Sequence, residues 1–377
     1  MYKIMTPGPT QVRENVRMAR SLECTNPDLD PAFYDYYKET CELISELLFT
    51  KNEAFILDGE GILGLEAACA SLTEPGDKVL VIDNGIYGKG FADFVTMYGG
   101  EVEFYTAPYT KAIDVEEFGS YLEKNHDFKY ATLVHCDTPS GVLNPVEEIS
   151  KKLHEYGIMT IVDSVSGMFG EPIHVDEGQI DILCGGSQKA LSAPPGLTFV
   201  TVSREAMKAM EDRKTSIASF YANILIFKDY YKNQWFPYTM PISDIYGLRT
   251  ALENVKAEQK EMWERHAKLG QMTRQAVQDM GLELYLENGY SNTVTVIKVP
   301  EGIKASDILE TMKKDYNIMI AGSFDVLTGQ VIRIGHMGEN ANEKDVKETL
   351  EALKETIQNL NKRNLCKNLL LCKVLTQ

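Results

Sequence analysis

One lysine, Lys189, stands in the run Gly185-Gly186-Ser187-Gln188-Lys189-Ala190-Leu191-Ser192-Ala193-Pro194-Pro195-Gly196 with no other charge around it. Surface lysines usually keep polar company. An amine set among small residues, directly after the apolar Ile182-Leu183-Cys184, is a candidate nucleophile or base, because burial lowers an amine's pKa and frees its lone pair. Asp163 ends the apolar run Met159-Thr160-Ile161-Val162, 26 positions earlier. Ligands of open α/β sheets bind beyond the carboxyl ends of the strands, where this aspartate falls. Taken alone it reads as readily as a cap on the next turn.

Other groups share that strand-end placement. Asp58-Gly59-Glu60-Gly61-Ile62 turns a strand pattern into a helical one, which aims free backbone N–H groups and the positive helix end at one point, a cup for a phosphate. Glu60 is repulsive to a phosphate unless it turns away. Tyr87 lies between Gly85 and Gly88 and either stacks on a flat ligand or packs on its own helix. Asp137, Thr138 and Ser140 follow the run 131–136. Arg333 sits inside the apolar strand pattern Val331-Ile332-Arg333-Ile334, where a charge is rare unless paired. It fits either two-pronged binding of a carboxylate or a structural ion pair.

The elements that must position these groups alternate. Apolar strand patterns at 53–57, 78–83, 101–105, 131–136, 159–163, 180–186 and 197–203 are interleaved with helical patterns at 62–72, 88–99, 114–124 and 146–157. Continuous Val/Ile/Leu runs belong to a sheet covered on both faces, so a doubly wound, mostly parallel α/β domain is expected. Near residue 245 the pattern changes to one long charged helix (245–281), then strands at 292–299 and 330–338 and helices at 305–317 and 343–361. The expected division is an N-terminal arm 1–20, a large domain 21–245, a smaller α+β domain 246–361 and a basic, leucine-rich tail 362–377. That tail is either a docking helix or a frayed end. A chain of 377 residues exceeds what one core usually serves.

The chain carries 38 Lys and Arg against 55 Asp and Glu, a net charge of −17, which argues against a nucleic-acid partner bound through phosphate contacts. The N-terminus lacks the apolar core of a signal peptide, and no run approaches the roughly 18 apolar residues of a membrane span. Seven scattered cysteines without paired spacing read as free thiols in a reducing cytoplasm, with no metal site.

A phosphate cup, a stacking ring, a strand-end Asp, a lone Lys and an Arg together meet the needs of pyridoxal 5′-phosphate. The chain also resembles the class V aminotransferases of fold type I, in the alanine–glyoxylate and serine–pyruvate branch, over roughly residues 3–358. The resemblance rests on TPGPT (6–10), GEGILGLEAA (59–68), EPGDKVLV (74–81), NGIYG (84–88), SGVLNP (140–145), IVDSVSG (161–167), GSQKALSAPPG (186–196) and IRIGHMG (332–338). It implies that Lys189 is the Schiff-base lysine and Asp163 the partner of the ring nitrogen. Tyr87 stacks on the ring, Thr138 contacts it, and Glu60, Gly61, Ile62 and Gln188 surround the phosphate. Thr239 resembles a residue reaching the phosphate of a neighbouring subunit, which implies a homodimer with shared sites. Gly8 and Arg333 contact substrate.

Two departures stand out. Glu60 replaces the Ser or Thr usual in relatives, and the segment 22–30 lacks a His-Arg pair that many of them carry near the substrate. Gln188 stands where desulfurases of the class have His, which favours transamination. The expected reaction joins a small amino acid, alanine or serine, to a 2-oxo acid, glyoxylate or pyruvate. A 2-aminoethylphosphonate–pyruvate transaminase is the alternative suggested by the loop 134–145, and a lyase or desulfurase of the same class is another.

Overall fold

The computed structural model describes residues 2–375, with side chains described through Arg363. Its centre is a seven-stranded sheet. In spatial order the strands are Glu53–Asp58, Leu197–Val202, Ile182–Gly186, Met159–Asp163, Tyr130–Val134, Lys78–Asp83 and Glu101–Thr106. Five neighbouring strands, from Ile182–Gly186 to Glu101–Thr106, run parallel. Leu197–Val202 is antiparallel to both its neighbours. It turns back from Ile182–Gly186 through the ten residues that include Lys189, so one strand end and its return hold the lysine. The periodicity foresaw the strand but not its direction.

The central strands are buried throughout, from Tyr130, Ala131 and Leu133 to Ile161, Val162, Ile182 and Leu183. Each fully buried Val, Leu or Ile contributes roughly 1.5–3 kcal/mol, and the cover on both faces explains the uninterrupted apolar runs. The outermost strand, Glu101–Thr106, is largely exposed and carries Glu101 and Glu103; charges on an edge discourage pairing with another chain. Registers align Val134 with Asp163 and Asp163 with Cys184. The carboxyl ends of these strands therefore lie side by side, and the loops after them form one rim.

A second apolar cluster is built from Leu269 and Val277 of the helix Ile242–Asp279, Ile308 and Met312 of the helix Ala305–Asp315, and Ile332 and Ile334 of the strand Val331–Gly335. That strand pairs antiparallel with Val294–Lys298. The long helix serves both clusters, since its Ile245, Leu248 and Leu252 belong to the larger one. It deviates from helical geometry at Glu258, whose carboxylate accepts from Arg13 and Arg265.

The N-terminal arm links the two halves. Lys3–Ile4 pairs with Ile318–Met319, the Gly335 N–H donates to the Met5 carbonyl at 2.8 Å, and the Thr10 N–H donates to the Gln188 carbonyl at 3.1 Å. The last helix, Glu343–Leu375, extends into the basic tail, whose side chains beyond Arg363 lie outside the described residues. Among the described residues no helix is long and apolar enough to cross a membrane.

Candidate active site

The rim of strand ends surrounds a cavity, partly open to solvent, lined among others by Glu60, Gly61, Ile62, Tyr87, Thr138, Asp163, Gln188 and Lys189. Eight residues named from the sequence thus converge from five strand-end loops, whose sequence separations span more than a hundred positions.

Lys189 projects from the loop after Ile182–Gly186. Its Nζ donates to the Pro7 carbonyl at 2.8 Å. Its own carbonyl accepts the Thr10 hydroxyl at 3.0 Å and the Ser192 N–H at 2.9 Å, so the loop is tied both to the arm and to itself. Burial, then the nearby Arg333 guanidinium, pull the amine down from 10.5 to about 8, against an opposing pull from Asp163. The free amine is therefore accessible near neutral pH, as a base or nucleophile requires. Gly8 lies against this side chain with φ of +95°, and a Cβ there would overlap Lys189. Glycine is needed at this position for both the backbone conformation and the close approach.

Asp163 is 5 % exposed. Its Oδ1 accepts the Val165 N–H at 2.9 Å. Burial pushes its carboxyl from 3.8 up to about 7, despite that hydrogen bond and the Lys189 charge, which both pull it down. A carboxyl held this way is stabilised when a cationic N–H is placed against it.

Tyr87 stands in the first turn of the helix Ile86–Met97. Its N–H donates to Asp137 Oδ1 at 2.9 Å, and Asp137 Oδ2 accepts the Ser140 hydroxyl at 2.7 Å. Asp137 is fully buried, and a Cβ on Gly85 would overlap its carboxylate. Asp137 therefore sets the position of Tyr87, and the ring of Tyr87 meets Phe324 edge-on at 6.0 Å between centroids.

Arg333 is not among the residues that line this cavity but stands at its border, close enough for its charge to act on Lys189. Its Nη1 donates to the Thr138 carbonyl at 3.2 Å and its Nε to the Gly322 carbonyl at 2.6 Å. It is 8 % exposed, and among the described residues it has no carboxylate partner within ion-pair distance. The ion-pair reading of Arg333 is not what the fold contains.

The family model for class-V aminotransferases matches residues 23–363. The chain belongs to the class-V aminotransferase family. It is 34% identical over 322 residues to a pyridoxamine–pyruvate transaminase of Mesorhizobium japonicum, covering 83% of this chain and 81% of that one. It is 31% identical over 374 residues to an alanine–glyoxylate aminotransferase of Callithrix jacchus, covering 96% and 89%. The crystal structure of a ureidoglycine–glyoxylate aminotransferase from Bacillus subtilis superposes with a TM-score of 0.92 at 30% identity, covering 96% and 94%. These neighbours share the fold type I architecture with its mostly parallel central sheet.

The remaining members of the expected set are placed differently. Thr239 is exposed, outside the cavity, and its hydroxyl donates to Asp28 at 2.9 Å. The segment 22–30 therefore meets Thr239 and not the cavity of its own chain. Cys136, Val165 and Ser166 also line the cavity. Cys136 is one of the cysteines that the sequence marks only as free thiols, and burial holds it up at about 11. Only its position next to Asp137 could have marked it. The Pro7 carbonyl was also missed, although Pro7 belongs to TPGPT (6–10).

The family implies pyridoxal 5′-phosphate, and the two halves of that group fare differently here. The ring half fits: an amine of lowered pKa, a buried carboxyl in need of a cation and an aromatic ring face one cavity. The phosphate half meets Glu60. This carboxylate caps the helix Gly61–Leu72, accepting the Ile62 N–H at 3.1 Å on Oε1 and the Gln188 amide at 3.2 Å on Oε2. Two donors a phosphate would use, the Ile62 N–H and the Gln188 amide, are already taken by an anion, and a phosphate placed there would meet that charge, so the cup does not fit a phosphate as it stands.

Proposed function

We propose that the chain transfers an amino group between a small amine donor, alanine or serine among the amino acids, and a small 2-oxo acid, glyoxylate or pyruvate. The reading is supported by one observation above the rest: Lys189, an amine held near a pKa of 8, shares a cavity with Asp163. A pyridoxal ring, the group this family uses, supplies an electron sink for the carbanion left when an α-proton departs. Asp163 holds the ring nitrogen's proton by an ionic hydrogen bond. Lys189, once unprotonated, removes the proton from the α-carbon and returns it at the other end of the C–N unit. Arg333 takes the substrate carboxylate in two-pronged fashion, the same for amino acid and oxo acid. Tyr87 limits the ring's tilt, and Gly8 leaves the room in which Lys189 swings.

The relatives agree by name on glyoxylate or pyruvate as acceptor, whereas their donors differ: alanine, ureidoglycine and pyridoxamine. We further propose a homodimer in which Thr239 faces the partner's site, a division at about residues 20, 245 and 361, and a reducing cytoplasm, supported by the five free cysteines among the described residues. A donor screen against pyruvate and glyoxylate, read by chromatography of both products, tests the reaction. Transfer to either acceptor with matching consumption of donor is expected; product formation without amino transfer, such as sulfur or ammonia release, would replace it.

A further inference from the structure

We propose that the cup end of this site is built for the hydroxymethyl arm of an unphosphorylated pyridoxal ring, so that pyridoxamine enters as amino donor and leaves as pyridoxal. The proposal rests on the transaminase reading of Lys189 and names the donor class that reading leaves open. It is carried by the Glu60 carboxylate, which Gln188 holds where a phosphate would otherwise sit.

The helix Gly61–Leu72 presents its first N–H groups to the cavity. Glu60 Oε1 accepts from Ile62 at 3.1 Å, and the Leu63 N–H donates to the Glu60 carbonyl at 2.9 Å. A carboxylate thus already holds the place at the positive helix end where an anion would otherwise settle. Gln188 then fixes what remains. Its Nε2 donates to Glu60 Oε2 at 3.2 Å. That contact sets the amide orientation, since only the nitrogen can donate to a carboxylate. Gln188 Oε1 is left buried with no hydrogen-bond partner, on a residue 6 % exposed that lines the cavity.

The cup therefore meets a ligand with the Glu60 carboxylate, an acceptor carrying a negative charge and held by the Ile62 N–H and the Gln188 amide. A phosphate monoester brings only acceptors and close to two negative charges at neutral pH. A primary alcohol brings an O–H donor and no charge, and its hydroxyl can donate to that carboxylate. Lys189 is the cavity's one lining cation, and it is engaged at Pro7.

The reaction balances without another reagent. The amine nitrogen of pyridoxamine bonds to the carbonyl carbon of the 2-oxo acid and water leaves. Lys189 carries a proton from the ring's exocyclic carbon to the substrate α-carbon as the C=N bond shifts. Water then cleaves the new C=N bond at the ring side, giving pyridoxal and the amino acid. The ring-borne carbon is oxidised, the oxo-acid carbon is reduced, and the water released first is consumed last.

Two measurements test this together. The purified protein, freed of bound ligand by dialysis against an amine, is titrated with pyridoxal and separately with pyridoxal 5′-phosphate, following absorbance. Pyridoxal should bind at least tenfold more tightly, about 1.4 kcal/mol. Glu60→Ser, which opens the cup, should reverse that order, and Glu60→Gln, which keeps the cap without the charge, should fall between. The wild type should also convert many equivalents of pyridoxamine with pyruvate to pyridoxal and alanine with no phosphate ester added. Tighter binding of the phosphate ester by the wild type, or a ratio unmoved by both substitutions, overturns the proposal. Alanine–glyoxylate transfer dependent on added phosphate ester, with no turnover of pyridoxamine, overturns it too while leaving the transaminase reading standing. The binding ratio reads the cup even where no pair of substrates reacts, an outcome that counts against the reading of Lys189 alone.

Discussion

Replacing Asp163 with Asn separates what the site costs the fold from what it gives the reaction. Burial pushes the Asp163 carboxyl up to about 7 in the folded chain from its ordinary 3.8. Its folded pKa is raised, so its contribution to stability is fully present below the unfolded value and is lost as pH rises through about 7. The loss over about three pH units is roughly 4 kcal/mol at about 1.36 kcal/mol per unit. Asparagine is neutral throughout and keeps an oxygen for the Val165 N–H, now at 2.9 Å. Ligand-free Asp163→Asn should therefore exceed the wild type in stability at pH 8.5, by up to about 4 kcal/mol, with the difference shrinking toward pH 4. Urea unfolding at a series of pH values, with matched slopes, measures it. Turnover should move the other way. Exchanging an ionic hydrogen bond to the ring nitrogen for a neutral one forfeits about 2 kcal/mol, roughly thirtyfold in kcat. A variant no more stable than wild type at pH 8.5, or one with near-native kcat, would refute the reasoning.

Other outcomes follow from the same geometry. Arg333→Lys keeps the charge but loses the two-pronged fork, so KM should rise at least tenfold, about 1.4 kcal/mol, for donor amino acid and oxo acid alike, with ring binding little changed. Steady-state kinetics on each substrate check this, and an unchanged KM for both would place the carboxylate anchor elsewhere. Because the Lys189 amine titrates near 8 and acts when unprotonated, the single-turnover rate of proton transfer should rise with pH and level off above that value; a rate that falls as pH passes 8 would rule out the lysine as base. Sedimentation at assay concentration should show a dimer, and Thr239→Val should weaken ring-ligand binding without unfolding the chain; an active monomer removes the shared-site proposal.

Much of the fold was legible because the buried strands write themselves as apolar runs. Lys78–Asp83 and Met159–Asp163 fall where the pattern put them, since burial on both faces keeps their interior positions almost wholly apolar up to the closing aspartate. The antiparallel course of Leu197–Val202 was not legible, because a strand covered on both faces carries no mark of its direction. The site was legible where chemistry breaks a local rule, as Lys189 among small residues and Arg333 inside a strand do. It was opaque where backbone atoms act, as with the Pro7 carbonyl, or where a residue's role depends on what lies across the chain. Glu60 belongs to the second kind: its conflict with a phosphate is visible in the sequence, but its bond to Gln188, 128 positions away, is not.

The account turns on Lys189 as the amine that meets the ring's carbonyl. Incubating the protein with pyridoxal, reducing with borohydride and mapping the labelled peptide tests this directly. A single label on Lys189, absent from Lys189→Ala under the same conditions, is the predicted result. A stable label on any other lysine, with Lys189 unmodified, would contradict the account.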